Sequence, residues 1–149
     1  LLMKAVTVYR AVGELGTARE YARSLAENYP QDSTAVRTYL NVLLELGRST
    51  AAAEYINRRL EENSNSDVRS LLLYFRARLA ENQQSKLQYL QSALLENMQN
   101  VNALIEIADL YESMGEYSKA IRYLRQAIAL SPDNQSLQRK MRELQNRSE

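Results

Sequence analysis

Three carboxylates in the C-terminal half of the chain are spaced so that a helix would place them on one face. Glu106, Asp109 and Glu112 recur at intervals of three residues within a segment of helical periodicity. Carboxylate oxygens in such a cluster could hold Ca²⁺ or Mg²⁺, or could attract a ligand with basic side chains. No ligand-bearing loop and no further group of metal ligands accompanies them, so we predict no metal site. A solvated helix face and a surface for a basic ligand remain as interpretations.

Side chains for catalysis are scarce. The chain has 149 residues but no histidine and no cysteine, so the commonest acid-base and nucleophilic groups are missing. Ser85 beside Lys86 and Ser118 beside Lys119 remain, but adjacent residues on a helix do not point at a common substrate. The sequence contains no glycine-rich phosphate loop and no GxSxG elbow. We therefore predict that the chain is not an enzyme and binds no cofactor.

The charge balance argues against nucleic acid as a partner. Nineteen basic and 18 acidic side chains give a formal net charge of +1, whereas affinity for nucleic acid rests largely on neutralising phosphates. The ten tyrosines could stack on bases, but most of them fall at positions where helices would pack. No segment approaches the roughly 20 apolar residues of a membrane span, and the first residues lack the order of a signal peptide. The compartment stays open.

The elements that must position these side chains are helices. Only 4 glycines and 2 prolines occur in a chain that is 45% apolar, which predicts an almost entirely helical fold. The clearest segment is Val101 to Asn134, where two helical patterns flank Gly115 and end at Pro132. The apolar residues of the two patterns are Leu104, Ile107, Ala108 and Tyr111, followed by Tyr117, Ala120, Leu124, Ala127 and Ile128.

Eight residues of this segment match one known pattern in type and order: Leu104, Ala108, Tyr111, Gly115, Tyr117, Ala120, Ala127 and Pro132. The segment resembles the tetratricopeptide repeat, a helix-turn-helix unit of about 34 residues. The resemblance implies an all-α fold, a right-handed α-solenoid of antiparallel helix pairs. We predict a single domain with repeats at about 1–32, 33–66, 67–100 and 101–134, followed by a capping helix at 135–148.

The other copies of the repeat are less regular. The helix Leu1–Val12 has no cap and is apolar on more than one stripe, so we expect the chain to be part of a longer protein. In the second repeat Asp32 or Ser33 is the expected N-cap and Gly47 the turn, and a polar loop follows at 62–67. The third repeat is the most degenerate, with a turn at 82–84 that lacks glycine and is about two residues short.

In this family the first helix of each pair lines a concave groove, so the resemblance implies which side chains face a ligand. The predicted groove residues are Arg37, Asn41, Tyr74, Asn102, Ile105, Glu106, Asp109 and Glu112, with Ser70 and Ala77 beside them. The carboxylates lie toward one end, and Lys4, Arg10 and Arg37 lie toward the other. This arrangement predicts a polarised groove, unless the charges only solvate a helix face.

One specific activity of the family is rejected on residues. Chaperone co-factors of this fold hold a C-terminal carboxylate between Lys, Arg and Asn side chains, and Arg37 and Asn41 stand at two of those positions. The other positions hold Tyr74, Asn102 and Glu106, and Glu106 would repel a carboxylate.

Two functions remain for the chain. The first is a scaffold that binds a peptide or helix of a partner protein in the groove. The second is a structural spacer or assembly segment of a longer array that makes its contacts through its edges. Self-association through the N-terminal face is a further possibility.

Overall fold

The computed structural model describes residues 1–62 and 65–149, and within them the chain is entirely helical, with no strand. Asn63 and Ser64, which belong to the polar loop expected at 62–67, lie outside the described residues. The nine helices of the described part are α1 (Leu2–Ala11), α2 (Leu15–Asn28), α3 (Ser33–Glu45), α4 (Ser49–Glu61), α5 (Ser66–Arg78), α6 (Gln83–Glu96), α7 (Val101–Ser113), α8 (Tyr117–Leu130) and α9 (Gln135–Arg147). Consecutive helices pack against each other along the chain, which is the arrangement of a helical solenoid.

We call α1, α3, α5 and α7 the first helices, and α2, α4, α6 and α8 the second helices. Asp or Asn caps the first helices after α1. The Asp32 carboxylate accepts from the amides of Thr34 and Ala35 at the start of α3, so the predicted cap is confirmed. Asn side chains do the same for α5, α7 and α9. These caps satisfy amides that the helices cannot pair internally, whereas α1 has no side-chain cap.

Three turns between first and second helices use glycine. Gly13, Gly47 and Gly115 have φ values of 80°, 67° and 75°, a backbone region that glycine enters without steric cost. The turn between α5 and α6 lacks glycine, and Asn82 there caps α6 by accepting from the amide of Ser85 at 2.8 Å. The repeat can therefore reverse direction with either turn.

The turn of the third repeat is not short as predicted. Four residues separate α5 from α6, against three between α7 and α8. The first helix keeps its length, because α5 and α7 each have 13 residues. The third repeat therefore replaces the glycine turn with a longer turn, in which Asn82 caps α6.

The core follows the small and large positions of the repeat. Ala108, Ala120 and Ala127 are fully buried and bring α7 close to α8, while Leu104 and Leu124 fill the space beside them. The α9 helix adds Leu137 and Leu144 to this same cluster, as expected of a cap. Because each cluster combines residues of neighbouring repeats, the repeats depend on one another for stability.

Candidate binding surface

Successive first helices contact one another along one side of the solenoid: Arg10 on α1 bonds to Glu45 on α3, and Asn100, the N-cap of α7, bonds to Ser70 on α5. α3 packs directly against α5, whereas no two second helices approach each other to that extent in the described part of the chain. In a curved stack, the elements that approach most closely lie on the inside of the curve. We use the term inner surface for the side formed by the first helices together with α9. The predicted groove residues lie on the first helices.

The three carboxylates of α7 on the inner surface are not free. Glu106 on α7 forms an ion pair with Lys86 on α6, with 2.9 Å between Nζ and Oε2. Glu112 pairs with two residues of α9, at 2.8 Å from Lys140 Nζ and 2.9 Å from Arg147. Asp109 also pairs with Lys140. The expectation of a negative end that draws a basic ligand is therefore corrected, because neighbouring helices supply the cations.

Lys140 is the centre of this charge cluster. Burial would lower its pKa, but the hydrogen bonds and charges of Asp109 and Glu112 outweigh burial and raise the pKa above the ordinary value for lysine. Lys140 therefore stays charged over the physiological pH range. The pairing ties the cap α9 to the first helix of the preceding repeat.

Arg37, Tyr74 and Glu106 come from three successive first helices and lie in one neighbourhood. Tyr74 is half-buried and packs edge-on against Phe75, with ring centroids 5.5 Å apart. Burial and the negative charge of Glu106 raise the pKa of the Tyr74 phenol, while nearby cations including Arg37 oppose that rise. The tyrosine predicted in the groove therefore lies among charged side chains from both neighbouring helices.

Arg37 lines a cavity of about 470 Å³ at the N-terminal ends of α3, α5 and α7. With every residue of 1–62 and 65–149 considered, its side chain forms neither an ion pair nor a hydrogen bond. On the same cavity Asp67 accepts a hydrogen bond of 3.1 Å from Asn97. The full lining consists of Ser33, Arg37, Asp67, Leu71, Asn97, Gln99, Asn100, Val101 and Asn102.

The remaining predicted residues occupy different positions. Asn102 is exposed at the cavity and Asn41 is half-buried on α3. Ile105 packs against the cluster shared by α7, α8 and α9, so it belongs partly to the core. The structure thus brings Arg37 and Asn102 to one cavity, and it places Asp109 and Glu112 against the cap.

Two further residues expected at the groove, Ser70 and Ala77, are fully buried. The Ser70 hydroxyl donates to the carbonyl of Ala93 at 2.7 Å and accepts from the Asn100 side chain at 2.8 Å. The expectation for both residues is therefore wrong. Both side chains instead pack against neighbouring helices, Ser70 through its hydrogen bonds and Ala77 in a cluster with residues of α6 and α7.

Sequence reasoning missed the cations that pair with the acidic cluster. Lys86, Lys140 and Arg147 lie outside the first helix that carries the carboxylates, so the periodicity of one helix does not reveal them. A signal existed in the spacing between repeats. Arg10 and Glu45 are 35 residues apart, as are Glu112 and Arg147, and both pairs join successive helices of the inner surface.

Two structural findings bear on other kinds of site. Among residues 1–62 and 65–149, no group of three or more Asp or Glu side chains converges closely enough to hold a metal ion. In that same part of the chain, every helix is too short or too polar to cross a membrane.

Comparison with solved structures shows the fold. MamA is 17% identical with a TM-score of 0.67, over 99% of this chain and 80% of that one. A thermophilic TPR protein from Thermus thermophilus is 24% identical with a TM-score of 0.64, over 96% and 78%. YrrB, a TPR protein with an unusual peptide-binding site, is 18% identical with a TM-score of 0.61, over 95% and 73%.

Comparison of sequences shows the family. None of the curated proteins compared with the chain matches it. Two models of the tetratricopeptide repeat match, one over residues 101–134 and the other over residues 3–67. The first match covers the segment whose eight residues resemble the repeat, and the second covers the less regular N-terminal copies. With its all-helical solenoid fold, the chain belongs to the tetratricopeptide repeat family.

Proposed function

We propose that the chain is a protein-binding scaffold whose inner surface holds an extended segment of a partner protein. Tetratricopeptide repeats generally mediate contacts between proteins. The observation that carries the proposal is the cavity of about 470 Å³, to which three successive first helices contribute side chains. A ligand that crosses several repeats gains contacts from each of them, which suits an extended peptide.

The chemistry of the cavity fits a peptide backbone. Its polar lining includes Gln99 and Asn102, whose side-chain amides can both donate and accept hydrogen bonds. An extended peptide presents N–H and C=O groups that need partners of both kinds. Leu71 and Val101 add apolar contact on the same lining. We assign no catalytic role to the chain, because it has no histidine and no cysteine.

Peptide display followed by affinity measurement tests this function. Peptides selected on the wild-type chain are measured by fluorescence anisotropy against Arg37→Glu and against Arg125→Glu, an identical charge change on the exposed side of the second helix α8. We expect Arg37→Glu to abolish binding and Arg125→Glu to preserve it. Equal affinity of both variants for the selected peptides would place the binding site elsewhere.

A spacer or assembly role is the second candidate, and the N-terminal face favours it. Leu1, Val8 and Val12 on this face are exposed, and Tyr9 stacks on Tyr21 with ring centroids 5.4 Å apart. An exposed apolar face of this kind is suited to packing against another helix. In this role, Val8→Glu reduces association measured by analytical ultracentrifugation, while Arg37→Glu leaves it unchanged.

A further inference from the structure

We infer that the partner segment carries an acidic side chain, Asp or Glu, that binds Arg37 on the inner surface. The inference rests on the proposed function and specifies its ligand. It reverses the expectation drawn from the acidic cluster of α7, which taken alone would select a basic ligand.

Four acidic residues of the inner surface already have basic partners. Glu45, Glu106, Asp109 and Glu112 each face a basic side chain from a neighbouring helix. A basic ligand would have to compete with those lysines and arginines, and each would then lose its own partner. The exchange replaces one ion pair with another, so it contributes little affinity.

Arg37 is in the opposite situation. It is half-buried at the cavity, and none of the described residues pairs with its guanidinium. An arginine that has lost part of its water gains most from a carboxylate, which accepts two parallel hydrogen bonds in the geometry of the guanidinium. An acidic side chain in the cavity therefore binds without displacing any contact of the folded protein.

Asp67 limits how much negative charge the cavity accepts. Its carboxylate lies on the same lining and is held by Asn97, and it forms no ion pair with Arg37. A second ligand carboxylate near Asp67 would be repelled, whereas a backbone N–H would find an acceptor there. The cavity therefore selects one acidic residue in an otherwise uncharged segment and disfavours an acidic run.

The carboxylate comes from a side chain of the ligand and not from its C-terminus. Binding a terminal carboxylate would need further donors on the next first helices. Those positions hold Tyr74 and Glu106, and the cation nearest to the Glu106 carboxylate, Lys86, is already bound to it at 2.9 Å. A chain that continues in both directions also uses the contacts of the neighbouring repeats.

A positional-scanning library of short fluorescein-labelled peptides with amidated C-termini tests the inference by anisotropy. The wild-type chain is expected to prefer Asp or Glu at one position. Arg37→Gln is expected to lose that preference and to bind the best acidic peptide about tenfold to a hundredfold more weakly, as for a lost charged hydrogen bond. Arg37→Lys keeps the preference, Arg37→Glu shifts it to Lys or Arg, and Arg125→Gln changes nothing.

The outcomes separate the inference from the proposed function. If peptides bind and Arg37→Glu abolishes binding, but no position prefers an acidic residue, the inference fails and the scaffold function stands. An acidic preference that survives Arg37→Gln, in a variant with a wild-type circular dichroism spectrum, also overturns the inference. If peptides with a free C-terminal carboxylate bind more tightly than the amidated peptides, whatever their side chains, Arg37 binds a terminal carboxylate and the inference is overturned. A library that binds nowhere overturns both proposals.

Discussion

The third and fourth repeats reach the same helix-pair arrangement by different means. α7 and α8 are joined by a glycine turn and approach each other over Ala108 and Ala120. In the third repeat Lys86 stands at the position of Ala120, 34 residues earlier, and the turn relies on the Asn82 cap. Both pairs nevertheless pack closely. The comparison teaches that the fold tolerates loss of the pattern where contacts with the next repeat replace it.

Lys86 makes such a contact, because it forms an ion pair with Glu106 in the fourth repeat. Arg76 instead packs within the third repeat, over the Tyr89 ring at 5.1 Å. Ser70 binds both the end of α6 and the cap residue of α7. The third repeat therefore connects the N-terminal half of the chain to the regular fourth repeat through side-chain contacts. Five sets of substitutions test this difference.

The largest effect is expected from truncating equivalent core leucines. Leu124 in the fourth repeat and Leu90 in the third are both fully buried. Leu→Ala at either position leaves a cavity and should reduce the free energy of unfolding by about 2–5 kcal/mol. Urea denaturation followed by circular dichroism measures both losses, and the exposed Leu130→Ala is the control. A loss near zero at Leu90 would mean that the third repeat is loosely packed.

Ser70→Ala tests the hydrogen bond that connects the third repeat to the fourth. The substitution removes a buried hydroxyl and leaves the Asn100 side-chain amide without this acceptor. We expect a loss of about 1–3 kcal/mol in the free energy of unfolding, as for a buried polar group left unsatisfied. Amide exchange should also accelerate at the start of α7. Unchanged exchange there would contradict the role of Ser70 in holding the two repeats together.

Gly115→Ala tests the regular turn. A Cβ at this position meets no atom within 4 Å, so the cost comes only from the backbone, at φ 75°. An L-residue in this region loses about 1–2 kcal/mol. The midpoint of urea denaturation should fall accordingly, whereas Gly16→Ala, inside α2 with ordinary φ, should not destabilise. Equal effects of the two substitutions would show that the turn does not need glycine.

Asn82→Ala tests the alternative turn. It removes the hydrogen bond to the Ser85 amide, and loss of such a cap costs about 1 kcal/mol. Asn82→Gly should reduce the free energy of unfolding by only about a few tenths of a kcal/mol, because glycine is accepted at the N-cap. Thermal denaturation of the two variants measures the difference. If both lose the same stability, another contact of Asn82 is responsible.

The smallest effect is expected for the ion pair between Lys86 and Glu106. The two side chains are 30% and 29% exposed to solvent. A double-mutant cycle with alanine should therefore give a coupling energy of less than about 1 kcal/mol. The coupling should weaken in high salt because exposed charges are screened. A coupling that is large and independent of salt would contradict the picture of a partly solvated pair.

Much of the fold could be predicted, because its signals are local. The Asp32 cap, the turns at Gly47 and Gly115 and the packing role of Ala120 each follow from residues within one repeat. The site was less predictable. Arg37 and Asn102, predicted from their positions on the first helices, line one cavity, but the burial of Ser70 was not predicted. Ser70 is buried because it bonds to Ala93 and Asn100, two contacts that the pattern of a single helix does not show.

The sequence by itself determined the helices, their order and the repeat, because periodicity, caps and glycine turns act over a few neighbouring residues. Only the tertiary structure decided which charges are paired. Lys140 meets Asp109 across 31 residues of chain, and Arg147 meets Glu112 across 35. Such contacts depend on how one repeat stacks on the next, which the pattern of a single repeat does not contain. The acidic cluster of α7 is therefore neutralised by its neighbours, whereas Arg37 is the cation that the described part of the cavity leaves unpaired.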